Sequence, residues 1–402
     1  MQKVFSAADI LLPNTEVTDM TRWSVIACDQ FTSEPQYWDN VRREIDGQAS
    51  TLELFLPEIY LSESESKIPK INAKMAEYER DLLVEHKNAM IYVRRRIPDG
   101  RVREGVVGKV DLEAYSYEQN NSALVRATEQ TVLERIPPRV KIRVDAKIEL
   151  PHIMMLFDDP EDNLFSVLRK NAEEYKKAYA FPLMQGAGDI EGYFISDSDS
   201  DFVSDFIESG RESGLCLCVG DGNHSLASAK ALYEKIKAEI GEDGAKVHPS
   251  RYALCEIVNI HSAALDFEPI HRLVSGCDVD DIISFFERKC TSEDSHILRY
   301  VSGDRSGTVR IDKNAAGISV DPLQKLLDEY LSEHKGDIDY IHGDESLLSL
   351  SKKKNSLGIF CEPITKQGLF SAVKEGGSLP RKTFSMGVAL EKRHYLEARK
   401  IK

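Results

Sequence analysis

A short apolar run at residues 215–219 leads directly into Gly220-Asp221-Gly222-Asn223-His224, after which Leu226, Ala229, Tyr233, Ile236 and Ile240 recur at helical spacing. Such a chain must place a buried strand, a tight glycine turn and an amphipathic helix in immediate succession. The strand needs a sheet and the helix needs a core, so an α/β fold follows. The rest of the pattern agrees. Residues 90–97 and 101–112 alternate around Pro98-Asp99-Gly100 and predict a β-hairpin. Residues 152–157, 252–260, 264–270 and 357–360 read as strands, as do 297–301 and 308–311 on either side of a turn. Helices are expected over 124–135, stopped by Pro137-Pro138, over about 162–179, over 278–289 with Asp278 as cap, and over 322–331. The polar stretches 62–67 and 196–201 read as loops.

With 402 residues the chain exceeds the size at which one core stops growing, so two or three subdomains with mixed sheets are expected. The divisions fall near 150 and 300. They leave an N-terminal α+β region (1–150) with the hairpin, a central α/β region (151–300) with the glycine turn, and a C-terminal α/β region (301–402). A net charge of −15 excludes a basic stripe of the kind a nucleic acid requires. Arg94-Arg95-Arg96 lies on an alternating strand and Lys352-Lys353-Lys354 is equally short, so both read as solvated surface. The seven cysteines are scattered without a CxxC pair, and Cys216 and Cys218 are expected to share a strand face as small buried hydrophobes. The first residues carry no apolar signal stretch and no run approaches membrane-spanning length, so a cytoplasmic protein with a small-molecule ligand is expected. Oligomeric state is left open.

Chemistry concentrates at the glycine turn. A helix that starts immediately after a strand presents unpaired N–H groups at its positive end, a site for phosphate or carboxylate. Gly220 and Gly222 allow close approach, and His224 in the first turn would be neutral because the helix dipole disfavours an imidazolium. The same residues also fit a plain reading, in which Asp221 or Asn223 caps the helix and His224 packs beside it. Elsewhere, Pro269-Ile270-His271-Arg272 would put His271 and Arg272 at a sheet's end, as a site or as solvated cations. Arg126 and Glu129, three apart on the expected helix, suit either an ion pair or an anion site with a proton or metal carrier. Asp29 follows an apolar run, where carboxylates bind ligands and where turns begin. Lys382, Thr383 and Ser385 could close over a phosphate or form a solvated tail. There is no GxxxxGK[ST] loop, GxGxxG, HExxH or GxSxG, so any kinase activity needs a site other than a P-loop. No close histidine pair suggests a preformed zinc centre.

Asp221-Gly222-Asn223-His224 resembles the Asp-Gly-x-His-Arg signature of the ParB/sulfiredoxin-like fold, which includes free-serine kinase. Together with Ala27-Cys28-Asp29-Gln30, Thr128-Glu129-Gln130-Thr131, Pro269-Ile270-His271-Arg272 and Leu379-Pro380-Arg381-Lys382-Thr383, it identifies the chain as similar to domain-of-unknown-function family ten-fifteen. The resemblance implies a fold and a site. The chain departs from the family pattern in carrying Ser225 where the signature has Arg, Asn223 where the family has a first His, and Thr128 in place of another His. Serine cannot clamp a phosphate as an Arg fork does, so Arg272 or Arg126 would have to supply the charge.

The reading that absorbs most of these residues is a small-molecule phosphotransferase acting on an amino acid or polyol. Asp221 or Glu129 would be the base, and Gly222, Asn223, His224 and Ser225 would hold phosphate. Mg²⁺ would bridge the oxygens of ATP or ADP. Two alternatives remain open, a nucleotide- or phosphate-binding regulator without turnover, and an acid–base hydrolase or lyase.

Overall fold

The hairpin forms where alternation placed it, with Ile91–Arg96 antiparallel to Val102–Asp111 and Ile91 opposite Val107. It sits inside a ten-stranded mixed sheet in a computed structural model that describes residues 2–119, 121–314 and 317–402. Tyr252–Asn259 pairs antiparallel with Val102–Asp111, and Met154–Phe157 lies parallel to it. Leu217–Asp221 follows antiparallel, then Val125–Ala127 and Tyr115–Ser116 in parallel. Asp189–Phe194 and Lys176–Pro182 complete the other side. Strands from both sides of residue 150 thus share one sheet. Period-two alternation sends Leu217 and Val219 into one core and Cys218 into another, so both faces are covered.

A second, six-stranded sheet is centred on Phe267–Ser275, which is flanked by Asp337–His342 and Ser356–Ile359. Helices Val279–Lys289 and Val320–Glu333 cover it through Phe286, Leu323 and Leu327, and Asp278 caps the first as expected. Phe384–Met386 pairs with the start of the central strand. Residues 389–402 then run back along the larger sheet as a strap. His394–Tyr395 pairs with Val25–Ile26, and Arg399–Lys400 with Ile148–Glu149. Leu396, Ala398 and Ile401 are buried, so this end is core rather than appendage.

Several expectations are corrected. Residues 124–135 are not a helix, since Val125–Ala127 is a strand and the helix is Ile136–Val144. Pro137 and Pro138 start that helix instead of stopping the previous one, because a proline in the first turn loses no helical hydrogen bond. Polar residues 62–67 and 196–201 are largely helix starts, running into Ser64–Asp81 and Asp197–Ser209. In the second, Ser196 Oγ accepts from the Asp199 N–H at 3.2 Å, and acidic residues complement the helix dipole. The helix expected over 162–179 stops at Asn171, and Lys176–Pro182 becomes a strand. Arg94 and Arg96 are exposed, but Arg95 is 1% exposed and donates to the carbonyls of Ala187 and Leu390 at 2.8 and 3.0 Å. The strand begins at Leu217, so Cys216 escapes the alternation and packs on the face opposite Cys218.

Candidate functional site

The glycine turn opens onto a cavity of about 620 Å³ lined by segments distant in sequence. The strand Leu217–Asp221 delivers Asp221, whose Oδ1 accepts the Gly222 N–H at 2.9 Å. Gly222 has φ +85°, and a Cβ there would lie 3.1 Å from Ile153 Cα, so only glycine makes this turn without strain. Helix Asn223–Val247 follows with no side chain capping its first turn, so neither Asp221 nor Asn223 plays the plain capping role. Asn223 Oδ1 is itself buried without a partner. Gly222→Ala is expected to lower stability by about 1–2 kcal/mol, the ordinary cost of a left-handed non-glycine residue; urea denaturation midpoints measure this, and an unchanged midpoint would show that the turn relaxes freely.

His224 lines the cavity, and its Nε2 accepts the Val132 N–H at 3.3 Å, so the proton of the neutral ring sits on Nδ1. Its pKa is pushed down to about 4, first by burial and then by the nearby Arg139 and Arg135 cations. The ring is neutral as expected, and the resolved causes are burial and charge. The pH consequence has a definite sign. Between the ordinary value of 6.5 and about 4, the unfolded chain takes up a proton that the folded chain refuses, so stability falls as pH falls through that window. His224→Gln should remove this component, giving a shallower loss of denaturation midpoint between pH 7 and 4 than the wild type shows.

Arg135, Arg139, Arg381, Lys382 and Lys392 bring positive charge to the cavity. Arg139 pairs with Glu58, Lys392 Nζ lies 3.4 Å from Asp221 Oδ2, and Arg381 donates to the Tyr340 hydroxyl at 3.1 Å. Lys382 has a left-handed backbone (φ +57°) inside a loop gripped by Glu129. The Glu129 carboxylate accepts the N–H groups of Lys382, Thr383 and Phe384 at 3.2, 2.9 and 3.3 Å. Burial pushes this carboxyl up, against the pull of those three bonds. Asp29 faces the same cavity, with Oδ2 3.7 Å from His152 Nε2. Burial opposes its ionisation, but the groups facing it, first His152 when its ring is protonated and then Gln30 and Lys392, hold the carboxyl below its usual range.

Thus Asp29, Glu129, Asp221, Gly222, Asn223, His224, Ser225 and Lys382 share one cavity lining. The others do not. Arg126 donates to the carbonyls of Ala123 and Gly214 at 2.8 and 3.0 Å, a structural clasp. Arg272 is fully buried in the middle of its strand, donating to Gln324 and to the carbonyls of Ile270 and Lys382, with its guanidinium 4.7 Å from the Tyr340 ring centre. His271 accepts the Cys361 N–H at 3.1 Å and bonds Asp344 at 2.9 Å. Thr383 donates to the Pro380 carbonyl at 2.7 Å. The expectation that Arg272 or Arg126 supplies the cavity's charge is therefore corrected in favour of Arg135, Arg139, Arg381 and Lys382. Arg135 and Arg139 had a readable signal, since Pro137-Pro138 marks a helix start around them. His152, Tyr340 and Lys392 had none, because each reaches the cavity only through long-range pairing.

Residues 9–330 match the family described as protein of unknown function (DUF1015). The chain belongs to that family. In this DUF1015 member, residues beyond the matched span (Tyr340, Arg381, Lys382 and Lys392) also line the cavity. No curated protein matches the sequence. Among solved structures, a free serine kinase variant in complex with ADP is similar at 12% identity, covering 76% of this chain and 95% of that one, with a TM-score of 0.41. Free serine kinase in complex with AMP is similar at 13% identity over 71% and 92%, TM-score 0.39. A conserved hypothetical protein from Pyrococcus furiosus is similar at 11% identity over 69% and 94%, TM-score 0.37. At such values nothing about activity passes from those proteins to this one. Among the described residues, no helix is long and apolar enough to cross a membrane.

Proposed function

We propose that the cavity binds a phosphate-bearing small molecule, such as ATP or ADP, and transfers a phosphoryl group to a small polar acceptor. One observation carries this reading: an uncapped helix N-terminus opens onto the same cavity as Arg135, Arg381 and Lys382, beside a histidine kept neutral. N–H dipoles and guanidinium groups together are the chemistry that holds phosphate oxygens. Phosphoryl transfer is mainly positioning and charge stabilisation, which such a lining supplies without a P-loop. Asp221, at the turn, would receive the acceptor's proton or hold a metal. Among the described residues no three His, Cys, Asp or Glu side chains form a ready-made metal site, so Mg²⁺ would fit as an ion carried by the nucleotide and touched by Asp221.

Binding without turnover is the second reading, favoured by the use of Glu129 for backbone N–H groups and by the Lys392–Asp221 pair. The experiment that decides is incubation of the full chain with Mg²⁺, ATP or ADP and pooled amino acids and polyols, followed by mass spectrometry for new phosphorylated species. A phosphorylated product is expected. Nucleotide binding by calorimetry with no product from either nucleotide would replace the transferase with a nucleotide-responsive binding protein.

A further inference from the structure

The strap residue Tyr395 reaches under the cavity and touches His152, which neither the helix N-terminus nor the cation cluster uses. We propose that Tyr395 is a positioning residue whose hydroxyl holds His152 in the Nε2–H tautomer, and that this N–H in turn holds the Asp29 carboxylate toward the cavity. Tyr395 Oη lies 3.0 Å from His152 Nδ1 and accepts the Cys28 N–H at 3.4 Å. The hydroxyl hydrogen is then left for another acceptor, and His152 Nδ1 is within reach. At the other end of the ring, Nε2 lies 3.7 Å from Asp29 Oδ2. A ring lone pair facing that carboxylate would be repelled and an N–H attracted, so Asp29 favours hydrogen on Nε2 and leaves Nδ1 to accept from Tyr395. At 3.7 Å the contact is N–H dipole to charge rather than a direct hydrogen bond. The histidine side chain is only 4% exposed and Asp29 31%, so the chain runs from the buried strap to the cavity surface. Tyr395 cannot easily swing away, since its ring packs 4.4 Å from Phe55 and edge-on to His152.

The consequence rests on the phosphotransfer reading only for what the cavity binds. Gln30 Nε2 donates to Asp29 Oδ1 at 3.0 Å, and Oδ2, the oxygen nearest His152, keeps a lone pair to accept a polar hydrogen of the second substrate. The test is ¹⁵N-histidine NMR on the full chain at pH 7.5, with His152→Gln to assign the signal. The neutral Nε2–H pattern is expected for His152 in the wild type, beside the Nδ1–H pattern of His224. Tyr395→Phe should lose the single-tautomer pattern at His152 while leaving that of His224 in place, with a lowered melting temperature because the Cys28 N–H and His152 Nδ1 lose their buried partner. Asp29→Asn, at the cavity surface, should shift the His152 tautomer without touching the strap. A wild-type Nδ1–H or doubly protonated His152 overturns the proposal, as does an unchanged pattern in Tyr395→Phe. If that variant does not fold, an unchanged pattern in Asp29→Asn overturns it instead. Calorimetry with ADP on the same samples separates the two ideas: wild-type protein that fails to bind ADP defeats the nucleotide reading and leaves the tautomer result standing.

Discussion

Arg393→Met is expected to lower unfolding free energy by about 3–5 kcal/mol, the usual effect of removing one partner from a buried ion pair. Arg393 Nε lies 2.8 Å from Glu256 Oε2 and Nη2 2.6 Å from Glu397 Oε2, and all three side chains are at most 5% exposed. The same guanidinium donates to the Pro151 carbonyl at 2.6 Å. Methionine would fill much of the volume but leave two carboxylates in a medium that cannot solvate them. A loss of that size is a large part of the roughly 5–15 kcal/mol that holds a typical domain together. The expected result is an urea midpoint far below wild type, or a chain that does not accumulate as folded protein. A triple change of Arg393, Glu256 and Glu397 to apolar residues should recover only part of the loss, because the buried Arg95 and Arg103 then lose the favourable charge of Glu256. An Arg393→Met protein with a wild-type midpoint would show that the strap contributes little to folding.

Asp221→Asn should leave the fold in place and reduce turnover roughly 10²–10⁴-fold, the contribution typical of a positioned general base. The amide keeps an oxygen for the Gly222 N–H and so preserves the turn. Lys392 loses one partner but retains the field of Asp29 across the cavity. Melting curves for the variant should therefore lie near those of the wild type, while formation of the phosphorylated species expected from wild type with Mg²⁺ and nucleotide collapses. Equal turnover in the two proteins would remove Asp221 from the chemistry, and a collapse of the melting curve would mark it as structural.

What local pattern could reveal is visible in particular residues. The turn at Gly222 and the hairpin at Pro98-Asp99-Gly100 depend on φ/ψ preferences and alternation over a few neighbours, and both lie where those preferences put them. Pro137-Pro138 shows how local information can be present and ambiguous. The same dipeptide ends one helix or begins the next, and the sheet decides by claiming Val125–Ala127 beside Leu217–Asp221. Arg126 and Glu129 then cease to be helical neighbours. Arg126 closes on backbone carbonyls, and Glu129 grips a loop more than 250 residues away.

By itself, the sequence determined the α/β class and the strand–turn–helix at Asp221-Gly222-Asn223-His224, because propensity and periodicity are properties of neighbours. Only the tertiary structure decided which charges serve the cavity. Arg95 and Arg94 are adjacent and chemically identical, yet one is buried against carbonyls from two distant segments and the other pairs with Glu191 at the surface. Likewise, Lys392 and Tyr395 gain their partners Asp221 and His152 when the strap docks, with His394–Tyr395 pairing against Val25–Ile26. Burial and long-range pairing set the field at a charged side chain, and neither can be read from the residues beside it.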